Sequence, residues 1–374
     1  MKKKYIILSI IVLVLLITFV TSFNYFKTSN NYVEDSVNNQ TKIIKGISMN
    51  LEQTAGAGDY KTVTQSSWPT EGYKFNTELS RCENGSTLSW DDSKKAVVMN
   101  GNVSDKCYVY FDKVLTLANY VISQYTGIQG ENSLYYHDSN LANGVGDNSY
   151  RYAGASDSVN NYICLGSDAA TCPDDNLFRI IGVFGAQTKV IRAKSVGNQK
   201  WDTSSSNKWS SSSLNTYLNG TYLTSLGTLK NKIATTTWKV GGGTPANISE
   251  VVPATAYKNE VGSSASRTIV NKKIGLMYVT DYYYSASPSA WTLVGYNSSD
   301  TTKDYRVAKT INWLYLGSIE WTISCHSGTS YSAFGVGNLG YVSGYFDVST
   351  SSAVRPTFNL ESSVKYVSGS GSMS

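Results

Sequence analysis

At 374 residues the chain is long enough for two domains, and its composition is that of short strands joined by polar turns. Charged residues make up 16% and aromatics 12%, with 28 tyrosines, which excludes disorder over most of the length. The formal net charge is +5, but Lys2, Lys3 and Lys4 supply three of those positives and no acid lies in residues 1–23. The remainder is close to neutral, which excludes a nucleic-acid binder with a basic face.

Residues 5–23 form an uncharged, strongly apolar run behind the three lysines. Nineteen such residues span a bilayer as a helix of about 20 residues, with the lysines held in the cytoplasm. Two readings stay open. A cleaved signal peptide has a shorter apolar core and a small-x-small site, for which Val20-Thr-Ser22 is the nearest candidate. The length of the run favours an uncleaved signal anchor. Both place everything after residue 24 outside the cell. Residues 24–45 are Asn-, Thr- and Ser-rich and read as a spacer with a short helix at Val33–Val37.

Residues 46–113 read as a small all-β domain. Ile47–Leu51 and Gly72–Asn76 alternate, Leu88–Trp90 and Ala96–Met99 form a hairpin around a polar turn, and Cys107–Phe111 is a further strand. Cys82 and Cys107 flank the hairpin and are natural disulfide partners in an oxidising compartment. Their bond closes a loop worth about 3 kcal/mol.

The second domain, 114–374, opens on a short helix carrying Leu117, Val121 and Tyr125 at helical spacing. His137 follows in a Gly- and Asn-rich turn region and reads as a surface loop residue. Residues 161–192 read as strand, tight loop, strand, turn, strand, with Cys164 and Cys172 closing the nine-residue loop. Asp174 and Asp175 read as turn residues. The serines before Leu214 cap an amphipathic helix that buries Leu214, Tyr217 and Leu218, with Trp201 and Trp209 beneath it. Lys232–Val240 and Lys273–Asp281 read as strands, the latter the most apolar of the domain. With two histidines and no ligand spacing, no metal or cofactor is expected. The paired carboxylates Asp91/Asp92 and Asp174/Asp175 are turn-like, and neither His137 nor His326 stands out as a positioned base, so an enzyme is not expected.

Ile311–Leu360 is Trp-, Tyr-, Gly- and Ser-rich and ends in the alternating Val354–Leu360 with its Arg355-Pro356 step. Trp313, Trp321 and Val354–Leu360 read as scaffold. The interval Ser327–Asp347 reads as a display face, with Tyr331, Phe334, Asn338, Tyr341, Tyr345 and Asp347 as candidate ligand-binding residues. Cys325, the odd fifth cysteine, reads as a thiol in a turn.

An ordered series runs through this domain: Trp209-Ser with Leu214–Asn219, Ile274–Met277, Asn312–Leu314, Glu320–Ser324, Gly340–Val342 and Val354–Leu360. It resembles an uncharacterised family of bacterial secreted domains that is similar to the C-type-lectin-like fold, in the branch that includes the formylglycine-generating enzymes. Residues 46–113 resemble a small exported module found upstream of it. The resemblance implies a C-terminal C-type-lectin-like domain behind the small all-β N-terminal domain; with the apolar run at 1–23 read as an N-terminal transmembrane helix, the expected fold class is α+β and β-rich. The calcium and sugar motifs of true C-type lectins are absent, as are the paired active-site cysteines of the enzymes, so neither activity carries over.

The expected function is a cell-surface, non-enzymatic ligand-binding or adhesion protein. It is held by its N-terminal helix in the cell membrane, or secreted if cleaved, and takes an extracellular glycan or protein ligand but no nucleic acid. The alternatives are a pilus-like structural subunit, which would be recovered in filaments, and an envelope-acting enzyme, which would need a cleft with convergent carboxylates.

Overall fold

A computed structural model describes residues 46–372 apart from 65–66, 70–71, 168, 263–267 and 295–307. The expected membrane segment at 1–23 and the spacer at 24–45, with its helix at Val33–Val37, lie outside the described residues. Among the described residues no helix is long and apolar enough to cross a membrane. The chain divides into two compact units, Met1–Leu115 and Thr116–Ser374, both rich in strands.

In the first unit, β1 (Ile47–Glu52) pairs antiparallel with β2 (Tyr60–Val63) and parallel with β7 (Cys107–Lys113). β3 (Tyr73–Phe75) and β4 (Arg81–Cys82) pair antiparallel with β7. The period of two is plain in β7, where Cys107, Val109 and Phe111 are buried and Tyr108, Tyr110 and Asp112 are not. The hairpin β5 (Thr87–Asp91) and β6 (Ala96–Asn100) turns on Asp91, whose Oδ1 accepts from Ser93 N and Lys94 N. Phe111 centres the core, with Phe75 and Trp90 at 5.8 and 5.7 Å. Cys82 and Cys107 face each other across β4 and β7 and are bonded, stapling a small core that centres, among the described residues, on a cluster of six buried side chains.

The second unit opens on α1 (Leu117–Ser123), capped by Thr116 Oγ1 accepting from Asn119 N. β8 (Leu134–His137), β9 (Ser149–Tyr152), β10 (Tyr162–Cys164), β11 (Leu177–Phe184) and β12 (Gln187–Arg192) belong to a seven-stranded sheet. Its central strand β11 is buried from Phe178 to Val183. Gly182 lies so close to Tyr150 O that an added Cβ would sit 2.2 Å from it, which is why the bulge there carries no side chain. The Cys164–Cys172 bond closes the loop between β10 and β11.

After β13 (Asn198–Lys200), α2 (Ser213–Tyr217) is capped by Ser212 Oγ, which accepts from Asn215 N, and loosens into a wider turn over Leu218–Tyr222 around Gly220. Leu214, Leu218 and Tyr222 are buried on one side, and Trp201 and Trp209 pack 5.2 Å apart nearby. β14 (Thr236–Lys239) pairs with β15 (Ile269–Lys272), and α3 (Pro245–Ile248) and α4 (Pro253–Glu260) lie between them in sequence.

The apolar run 273–281 is not one strand. It forms β16 (Ile274–Gly275), which joins the seven-stranded sheet, and then enters the buried helix α5 (Val279–Tyr284). The reason is polar. The Asp281 carboxylate accepts from Tyr278 N, and Glu260 accepts from Val279 N and Thr280 N, so the helix's first amide groups find acceptors in the interior.

β17 (Glu320–Cys325), β18 (Ser332–Val336), β19 (Val342–Asp347) and β20 (Ser351–Ala353) join β13 in a five-stranded sheet, while β21 (Thr357–Asn359) returns to the seven-stranded one beside β12 and β16. Buried tryptophans fill the unit, and Trp201, Trp313 and Trp321 donate their indole N–H to backbone carbonyls of Thr322, Tyr152 and Gln199.

Candidate functional site

The interval expected to display a ligand surface is the hairpin β18–β19, at the outer edge of the five-stranded sheet. Its turn is closed by Gly337 N donating to Tyr341 O and Gly340 N donating to Gly337 O. Tyr341 covers Gly337, and an added Cβ there would meet its ring at 2.5 Å. The base of the hairpin is held by Asn207, whose Nδ2 donates to the carbonyls of His326, Thr329 and Ser332, each at 2.8 Å.

The structure sorts the six candidates. Tyr331 is 54% and Tyr345 66% exposed, and Asn338 and Asp347 are exposed as well. Tyr341 is half-buried, its ring stacked 6.4 Å from Phe346. Phe334 is a correction: it is fully buried and belongs to the core. All five residues of β18 are buried, so both faces of the strand are covered and its alternation carries no outward face. Asp347 has a local task, as its Oδ1 accepts from Ser349 N and Oγ and these bonds hold its carboxyl below the usual range. Leu339 at the hairpin tip is 54% exposed and was not among the candidates.

Tyr345 leans on His326, with ring centroids 5.2 Å apart, and Phe334 lies on the same imidazole at 6.3 Å. His326 Nδ1 accepts from Gly328 N at 3.0 Å, and burial pushes the imidazole's pKa down. Cys325 is outside both disulfides, and its thiol donates to Val240 O at 3.4 Å.

His137 is not a surface loop residue. It ends β8, is fully buried, and packs 5.1 Å from Tyr284 and 5.2 Å from Trp291. Burial, with the Arg151 charge adding to it, pushes its pKa down to about 3. Asp174 and Asp175 occupy a tight turn, as expected, and pair with Lys194 and Arg192. Among the described residues no group of three or more His, Cys, Asp or Glu could hold a metal ion.

A second group of polar side chains was not singled out in the sequence. Arg151, Lys189, Glu260 and Asp281 are all buried within the unit. Lys189 pairs with Asp281 at 2.5 Å, and Arg151 with Asp147 at 2.7 Å. Asp147 also accepts from Tyr257 OH. Burial raises the Asp147 pKa, but Arg151, Ser149 and Tyr257 outweigh it and hold the carboxyl at about 2. Burial pushes Lys189 down and Glu260 up. The available signal was a cation inside an otherwise apolar strand, as in Thr188–Arg192.

Residues 186–362 match a protein family described as a domain of unknown function, DUF6273. No curated protein and no solved structure matches the chain.

Proposed function

We propose that the chain is an exported, non-enzymatic binding or adhesion protein of the cell surface. In this reading the Thr116–Ser374 unit has a C-type-lectin-like organisation, the N-terminal segment anchors it in the membrane, and the β18–β19 hairpin takes an extracellular glycan or protein. The observation that carries it is the exposure of two large rings, Tyr331 in the loop leading into β18 and Tyr345 on β19, in a tryptophan-filled domain. Aromatic side chains on rigid support give contact area at low entropic cost. The Asn207 clamp and the tight 337–341 turn supply that support. Two disulfides suit an extracellular or secreted protein. The histidines give no lead toward catalysis: His137 is walled in by aromatic rings, and His326 Nδ1 is occupied by Gly328.

The test is binding of the purified full chain to whole bacterial cells, isolated cell wall and host-cell surfaces, with the parent compared to Tyr331→Ala/Tyr345→Ala. A loss of about tenfold or more in binding, with the thermal midpoint unchanged, supports the reading. Equal binding by the folded variant sinks it.

A further inference from the structure

A separate cavity of about 200 Å³ lies within the second unit, lined by residues of β9, β11, β12, β14, α4, α5 and β21. Its lining carries three cations, Arg151, Lys189 and Lys239, and one carboxylate, Asp281, while Asp147 pairs with Arg151 from outside the lining. The side chains of Arg151 and Lys189 are only 3% and 7% exposed, so these charges are set in the wall of the cavity. Both keep donors in reserve. Arg151 commits Nε to Ser149 Oγ and Nη2 to Asp147, and among the described residues Nη1 meets no acceptor. The Lys189 ammonium has three hydrogens, and Asp281 is its acceptor among the described residues. Asn359 offers the opposite polarity: its Nδ2 donates to Thr236 Oγ1 at 3.1 Å, while its buried Oδ1 has no hydrogen-bond partner. The wall also carries aromatic rings, with Phe184 4.6 Å from the Arg151 guanidinium and Tyr278 4.7 Å from the Lys189 ammonium, beside Thr236, Thr237 and Thr280.

Buried charges with spare donors and a buried acceptor without a donor are costly unless something meets them. We propose that this cavity binds a sugar acid of one ring, its carboxylate on Arg151 and Lys189, a hydroxyl donating to Asn359, and its C–H face on the aromatic wall. The cavity is smaller than the ~300–1,000 Å³ of drug-sized sites, which suits a single ring and excludes a chain. A carboxylate satisfies two cations at once. Hydroxyls supply the donor that Asn359 lacks. This site is independent of the β18–β19 hairpin, so either can fail without the other.

The experiment is calorimetric titration of the full chain with glucuronate, glucose and inorganic phosphate. The variants are Arg151→Lys and Asn359→Leu, the latter leaving every buried charge paired and so keeping the fold testable. Saturable binding of glucuronate, weaker at high salt, with glucose and phosphate at least about tenfold weaker, is expected. Each variant should lose about tenfold or more in glucuronate affinity while keeping its two disulfides and a cooperative unfolding transition. Equal binding of glucose, tighter binding of phosphate, no saturation with glucuronate, or parental affinity in a folded Asn359→Leu protein would each overturn the proposal.

Discussion

Glu320 and Arg355 meet in a two-point ion pair, Oε1 to Nε and Oε2 to Nη2 at 2.7 Å each, with the two side chains 1% and 3% exposed. The pair joins the first residue of β17 to the segment that carries the chain from one sheet to the other. Removing one partner leaves a buried charge alone, which costs about 3–5 kcal/mol, whereas replacing both by apolar side chains costs far less. Urea unfolding of Glu320→Leu, Arg355→Met and the double variant is expected to show each single change as severe and the double as milder than their sum.

His137 sets an acid limit on stability. Burial and the Arg151 charge push its pKa in the folded state down to about 3 from an ordinary value of 6.5. An unfolded chain therefore binds a proton below about 6.5 that the folded chain refuses, so stability is full above that pH and falls as pH drops toward 3, by about 1.4 kcal/mol per pH unit. Asp147, held at about 2, adds its own loss only at the lowest pH. Chemical denaturation at a series of pH values should show the slope between 6 and 4 flattened in His137→Phe; an unchanged slope would assign the acid sensitivity to other groups.

The two disulfides should differ in weight. Cys82–Cys107 spans 25 positions and Cys164–Cys172 spans 8. On loop entropy alone the first contributes about 3.5 kcal/mol and the second about 2.5. The first also serves a unit with a small core. Cys82→Ser/Cys107→Ser is therefore expected to unfold the N-terminal unit first, read by limited proteolysis. Cys164→Ser/Cys172→Ser should leave both units protected at room temperature.

The hairpin offers a contrast within one stretch. Phe334→Ala empties a fully buried site and is expected to cost about 3–5 kcal/mol. Tyr345→Ala removes a ring that is 66% exposed and should change stability by no more than about 0.5 kcal/mol. Thermal unfolding of the two variants separates scaffold from display; a large loss in Tyr345→Ala would make its contact with His326 structural.

Much of the local structure was legible in the residues. The β5–β6 hairpin announced itself through alternation around a polar turn, and the serine cap of α2 through its position before Leu214. The small loop closed by Cys164 and Cys172 needed only sequence proximity. Exposure was less legible. Tyr345 and Phe334 look alike in sequence, yet one borders solvent on an edge strand and the other packs into the core. His137 looked like part of a turn because Asp138-Ser139-Asn140 follows it in a Gly- and Asn-rich region, while the rings that bury it come from Tyr284 and Trp291.

What the sequence determined by itself was the β-rich character, the local turns and caps, and the aromatic scaffold. These follow from periodicity and from neighbours within a few positions. Tertiary structure alone decided that the apolar run leaves the sheet after Gly275 and turns into the helix Val279–Tyr284, where the carboxylate of Glu260 reaches the first amide groups from another element. It also decided that Lys189 meets Asp281 across 92 positions, and that Arg151, Lys189 and Asn359 face one cavity. Strand pairing brings these groups together, and no local pattern records which strands will pair.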